Sequence, residues 1–141
     1  MTTELAAFVL DSFALLAHFQ DEPGGPRVRE ILSQAATGQL QIAMTVVNLG
    51  EVVYKTAGRY GADRAHEVLG LINEFVIDMI EIDRALALEA AQFKVDHRMS
   101  YADCMAAALA QRLGAVLVTG DREFRSVTEF SIEWLPQPQR S

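Results

Sequence analysis

Short, continuously apolar runs alternate along this chain with segments of helical periodicity, and that alternation constrains the fold more than any other feature. Ala7-Phe8-Val9-Leu10 contains no polar residue, as a strand buried on both faces requires. Leu15, Leu16 and Phe19 then follow at helical spacing. Pro26 stands where the first turn of a helix tolerates it, and Val28, Ile31, Leu32 and Ala35 give that helix an apolar stripe closing at Gly38. Leu40 to Met44 reads as a second strand. Thr45 is placed to cap a helix carrying Val46, Leu49, Val53 and Ala57, which Gly58 to Gly61 should stop. Asp63 is placed to cap the next, with Ala65, Val68, Leu69 and Ile72 on one face. Phe75 to Ile82 predicts a third strand, and Asp83 a cap for the helix through Leu86, Ala90 and Phe93. Ser100-Tyr101-Ala102-Asp103 has the form of a capping box with a shortened acid, opening an Ala-rich helix that ends at Gly114. Ala115 to Val118 and Ser131 to Leu135 complete the strands.

Strands that alternate with helices imply right-handed crossovers, hence an α/β fold with a mostly parallel sheet covered on both faces. The Pro/Gly clusters at 22–26, 58–61 and 136–138 are spaced as loops, with no repeat or linker between them, so residues 1–141 read as a single domain. The apolar stretch from Leu5 to Phe19 is short for a membrane span and is broken by Asp11 and His18. Glu4 precedes it and no Lys or Arg does, unlike the start of a signal peptide, so the expectation is a soluble, cytoplasmic protein with no membrane association. The single cysteine, Cys104, excludes an internal disulfide and any Cys-based zinc cluster.

In open α/β sheets, ligand sites lie off the carboxyl ends of the strands. Four acids fall there. Asp11 follows the first strand directly, and Asp121 follows Ala115 to Val118 through Thr119-Gly120. Glu51 lies in the second turn of the helix after the second strand, and Asp103 in the first turn of its own. Singly, Asp103 could serve only the helix dipole and Asp121 only a turn. Asp11 is costly to bury unpaired, and four gathered carboxylates repel one another unless cations neutralise them. Oxygen donors without thiolates or clustered imidazoles suit Mg²⁺ or Mn²⁺. His18, His66 and His97 stand apart and read as structural or surface residues. Cys104 reads as a small core residue. A D-x-D phosphatase would need an acid where Phe13 stands, and a receiver domain would need a Lys near Thr119.

Val9-Leu10-Asp11-Ser12-Phe13-Ala14-Leu15-Leu16, Asn48-Leu49-Gly50-Glu51-Val52, Ser100-Tyr101-Ala102-Asp103 and Leu117-Val118-Thr119-Gly120-Asp121 with Phe124 together resemble a PIN-domain nuclease. Within that group the chain is most similar to the VapC-type ribonuclease toxins of type II toxin–antitoxin pairs. The resemblance runs from about Phe8 to Leu135 and implies a three-layer α/β/α sandwich with Mg²⁺- or Mn²⁺-dependent endoribonuclease activity. It also implies an antitoxin that blocks the site and binds operator DNA, so that DNA is touched only indirectly. The family's acidic quartet falls on Asp11, Glu51, Asp103 and Asp121, and its small polar residues on Ser12 and Thr119. Phe13 departs from the pattern, since a small residue is common there.

Asp11, Asp103 and Asp121 are thus the expected direct or water-mediated ligands, and Glu51 either a ligand or the group that deprotonates the attacking water. Ser12 and Thr119 are expected to fix carboxylate orientation. With 12 Lys and Arg against 19 Asp and Glu, the chain carries a net charge of −7, so any grip on RNA must be local. Arg98, Arg122 and Lys55 lie nearest the acids in sequence. The aromatics show no RNA-stacking pattern, and Phe8, Phe19, Phe75 and Phe93 read as core. A homodimer is expected from the resemblance and from apolar residues read as surplus to a monomer: Val28, Ile31, Leu32, Val52, Val53 and Leu69. The alternative is a non-catalytic PIN-like module that binds a partner.

Overall fold

In the computed structural model, residues 5–138 are described. The central strand is β1 (Ala6–Leu10), flanked by β2 (Leu40–Thr45) and β4 (Val116–Thr119). With β3 (Asp78–Ile80) and β5 (Ile132–Trp134) at the edges, the sheet runs β3-β2-β1-β4-β5 and every pairing is parallel. Successive side chains of a strand leave on opposite faces, and the burial follows suit. Val9, Ala43 and Leu117 face a core closed by α5 (Arg84–Asp96) and α6 (Tyr101–Leu113). Leu10, Ile42, Met44 and Val118 face a second core. That one is closed by α1 (Ser12–Phe19), α2 (Gly25–Ala36), α3 (Val46–Tyr60) and α4 (Ala62–Ile72). The result is a three-layer α/β/α sandwich.

The two edge strands are shorter than their apolar runs. Phe75 to Ile82 yields only Asp78–Ile80, because its partner β2 ends at Thr45, opposite Ile80, where α3 begins. The side chains of the run are still used, with Phe75, Ile77 and Met79 packing on one core and Ile80 and Ile82 on the other. Thr45, Asp83 and Ser100 cap their helices as expected, each accepting the backbone N–H three residues on. Asp63 does not cap α4. Gly61 at φ +94° ends α3 and starts α4 as a single hinge residue, so Asp63 falls inside the first turn. α3 thus stops within the Gly58–Gly61 stretch as expected, at Gly61 after Tyr60.

The apolar residues read as surplus are mostly not. Val28, Ile31 and Val52 are fully buried and Leu32 nearly so, all within one chain's own core, while Val53 and Leu69 are half-buried. Among the described residues no helix is long and apolar enough to cross a membrane.

Phe13 has a specific accommodation. Its ring lies against Gly120, where a Cβ would stand 2.3 Å from the ring and 3.1 Å from the Leu135 carbonyl oxygen. Gly120→Ala is therefore expected to destabilise the fold by about 1–3 kcal/mol. Phe13→Ala in the same chain should recover part of that loss. A double-mutant cycle by chemical denaturation measures the coupling, and strict additivity would dissociate the glycine from the ring.

Candidate functional site

Three of the four acids come from strand–helix junctions on the C-terminal side of the sheet, and the fourth, Asp103, from the start of α6, which follows α5. Asp11 ends β1 and caps α1, with its Oδ1 accepting the Ala14 N–H at 3.0 Å. Its Oδ2 accepts the hydroxyl of Thr119, the last residue of β4. Asp11 is 1% exposed and Thr119 is fully buried. The Thr119 oxygen in turn accepts the Asp121 N–H at 3.0 Å. One hydroxyl thus binds the carboxylate of one acid and the backbone of another.

Asp121 lies just beyond β4 and caps the short 3-10 helix η1 (Arg122–Ser126), its Oδ1 accepting the Glu123 N–H at 2.9 Å. Asp103, buried in the first turn of α6, meets Asp121 and Glu123 so closely that carboxylate oxygens of all three lie within 4.8 Å of one another. Asp11 and Glu51 stand outside that trio, yet the charges of Asp121 and Glu51 both act on Asp11. The four predicted acids therefore share one electrostatic neighbourhood.

Their proton affinities record the crowding. Burial pushes Asp11 up to about 7, against the Thr119 and Ala14 hydrogen bonds that favour its ionised form. Asp103 is also pushed well above the carboxylate range, by burial first and then by the charge of Asp121.

Glu51 is held by an asparagine that sequence reasoning left without a role. Asn48 is fully buried and donates from Nδ2 to Glu51 Oε1 at 3.0 Å and to the Ala102 carbonyl at 3.4 Å. Its own Oδ1 accepts the Thr45 hydroxyl at 2.6 Å. The spacing Thr45-x-x-Asn48-x-x-Glu51 puts all three on one side of a helix, and that was the available signal. Glu123 was also missed. Its Oε1 accepts the Ser100 N–H at 2.6 Å, completing the cap of α6 in place of Asp103, whose carboxylate is thereby left for the acidic cluster.

The remaining expectations divide. Thr119 orients a carboxylate, whereas Ser12 makes no hydrogen bond to an acid among the described residues. Ser12 instead lines a cavity of about 170 Å³ with Phe13, Gln20, Lys55 and Asp121. Lys55 Nζ stands 3.9 Å from Glu51 Oε2, a loose pair, while Arg98 and Arg122 are exposed. His97 bonds Ser126 and Glu129, His18 packs edge-on to Phe19, and Cys104 lies in the core.

The model of the PIN domain family matches residues 8–129. No curated protein matches the sequence. Among solved structures, the chain is similar to DNA-bound VapBC from Salmonella typhimurium, with 21% identity and a TM-score of 0.73 over 92% of this chain and 98% of the matched one. It is similar to VapBC2 from Rickettsia felis bound to a promoter DNA fragment, with 15% identity and a TM-score of 0.72 over 92% and 99%. A third is VapC20 from Mycobacterium tuberculosis, a sarcin–ricin loop cleaving toxin, with 17% identity and a TM-score of 0.67 over 86% and 94%. These likenesses show a common fold.

The raised proton affinities carry a stability consequence. Asp11 titrates near its ordinary value of 3.8 when unfolded and near 7 when folded, so within that interval the folded state binds more protons. Stability in a chelating buffer is therefore expected to fall as pH rises from about 4 through 7. Millimolar Mg²⁺ should flatten the decline by neutralising the charge. Denaturant midpoints across that range, with and without Mg²⁺, provide the check. A chelated protein that grows more stable with pH would contradict the assignment.

Proposed function

The chain belongs to the PIN domain family, and on that premise we propose that it is a Mg²⁺- or Mn²⁺-dependent endoribonuclease, acting as the toxin of a type II toxin–antitoxin pair in the cytoplasm. The observation that carries this reading is the convergence of Asp11, Glu51, Asp103 and Asp121 on one mouth of the sheet, where burial and mutual repulsion raise the proton affinity of the two most enclosed. All five strands joining one sheet supports reading residues 1–141 as a single PIN-like nuclease domain.

The donor set fits a hard divalent cation. It offers carboxylate oxygens, those of Asp103, Asp121 and Glu123 within 4.8 Å of one another, with Asp11 under the charge of Asp121 beside them. Asp11, Asp103 and Asp121 would hold the ion. When bound, it supplies charge stabilisation at the phosphate and an acidified water. The chain's own residues do the positioning. Thr119 fixes the Asp11 carboxylate. Asn48 fixes one oxygen of Glu51, and the other, loosely paired with Lys55, is the one that would hold the ion or orient and deprotonate the attacking water. Lys55 and Arg122 border the acids and, with Arg98, are the first candidates to meet the phosphates of the RNA substrate.

The fold shared with VapBC assemblies supports a cognate antitoxin as partner, with DNA contacted through it. The net charge of −7 suits a basic antitoxin segment. An arginine from it among the carboxylates would compete with the metal. Pairing of two copies has its support in exposed residues of α3 and α4, namely Tyr54, Tyr60 and Leu71, since Val28, Ile31, Leu32 and Val52 are buried within one chain.

The purified chain is expected to cleave RNA in Mg²⁺ or Mn²⁺ and to lose that activity in EDTA. Asp11→Asn should keep the circular dichroism of the parent and lose activity by about 100-fold or more. Cleavage that persists in EDTA, or in Asp11→Asn at the parental rate, would overturn the carboxylate mechanism. Light scattering at tens of micromolar tests the pairing; a monomer mass would refute it.

A further inference from the structure

On the rim of the sheet next to the acids, the turn after β4 and the edge strand that follows it bring together an aromatic face and two guanidinium groups. β5 runs parallel to β4 with Trp134 in register with Thr119, so the indole lies at the end of the sheet where Asp121 begins its turn. Neighbouring strands are about 4.8 Å apart, which sets Trp134 within a nucleotide's length of the carboxylates. It is 46% exposed on an edge strand. Arg122 and Arg125 belong to η1, the turn that Asp121 caps, and Arg125 Nη1 donates to the Arg122 carbonyl at 3.1 Å. Both are exposed, and neither makes an ion pair among the described residues. With Leu135, Pro136 and Gln137 they line a concavity of about 440 Å³, a volume suited to a small ligand. Gln137 anchors its floor by donating to the Gly120 carbonyl.

The charge there is the reverse of the chain as a whole. No acid lines the concavity, although the net charge is −7. Glu123, between the two arginines in sequence, turns its carboxylate toward the Ser100 N–H instead. An indole face with guanidiniums beside it that carry no ion pair is the chemistry that holds single-stranded nucleic acid, by base stacking and phosphate pairing.

We propose that Arg122, Arg125 and Trp134 form a nucleotide subsite, which stacks one base of the RNA on the indole and pairs its flanking phosphates with the two guanidiniums while a neighbouring phosphodiester lies at the acids. This subsite rests on the ribonuclease reading and adds Arg125 and Trp134 to it. It also explains how an acidic protein retains a polyanion, since the grip is confined to one rim.

Trp134 is the chain's only tryptophan, so its fluorescence reports the subsite directly. The full chain is titrated in EDTA with a single-stranded adenylate hexamer. The expected result is a saturable quench, with inorganic triphosphate, which lacks a base, producing none. Anisotropy of a labelled hexamer should show binding weakened about fivefold or more in Trp134→Ala and largely restored in Trp134→Phe. Replacing Arg122 and Arg125 together by Gln should lower the slope of log K against log salt by about 1.4. If Trp134→Ala melts early, the arginine variants decide, because they keep the fluorophore. The proposal is overturned by absence of a quench at RNA concentrations the parent cleaves in Mg²⁺, or by parental affinity in Trp134→Ala and the double arginine variant. It is equally overturned if hexaglutamate quenches and RNA does not, which assigns the face to an acidic protein segment. A hexamer that quenches in EDTA but stays intact in Mg²⁺ upholds the subsite and refutes the nuclease reading.

Discussion

Thr119 donates its hydroxyl to Asp11 across 108 residues of sequence, and the organisation of the mouth of the sheet depends on that bond. It joins the ends of β1 and β4, the paired strands at the middle of the sheet. The same oxygen receives the Asp121 N–H, so the turn leaving β4 is set by the group that holds the acid leaving β1. Without hydrogen bonds a carboxylate at 1% exposure would be prohibitively costly; with two it is tolerable, though still reluctant to ionise.

The other acids are held by equally local means. Asn48 ties Glu51 to Thr45 and to the start of α6 at Ala102, linking the β2–α3 junction to the one that carries Asp103. Glu123 ties the η1 turn to the same helix start through Ser100. Repulsion among the carboxylates works against this arrangement, and the packing behind it, Val9 and Leu117 on one face and Leu10 and Val118 on the other, keeps it in place. The consequence is a preorganised, electron-rich mouth whose charge a divalent cation would relieve.

The layer order was legible because buried parallel strands are apolar on both faces and their helices carry caps that can be read locally, such as Thr45, Asp83 and Ser100. Asp11, Glu51 and Asp121 were legible for the same reason, a strand end followed by a helix start, and Asp103 from the Ser100 cap that opens α6. Features that depend on what lies across the fold were not. Val28, Ile31 and Leu32 on α2 and Val52 on α3 carry no local sign of whether a second copy or the chain itself covers them, and only tertiary packing shows that one chain does. Glu123 looks like a solvent-facing turn residue until α6 is placed beside it. Trp134 and Arg125 become neighbours only through the pairing of β5 with β4. Phe13 departs from its family's pattern, and the space its ring takes is left by Gly120, more than a hundred residues away.

The proposed nuclease chemistry requires these carboxylates to hold a divalent cation, directly or through water. Diffraction at the manganese absorption edge from crystals grown in Mn²⁺ tests it most directly. The account predicts an anomalous peak bounded by Asp11, Asp103 and Asp121, lost in crystals of Asp103→Asn. A peak elsewhere on the surface, or an acidic mouth with no anomalous signal at millimolar Mn²⁺, would contradict it.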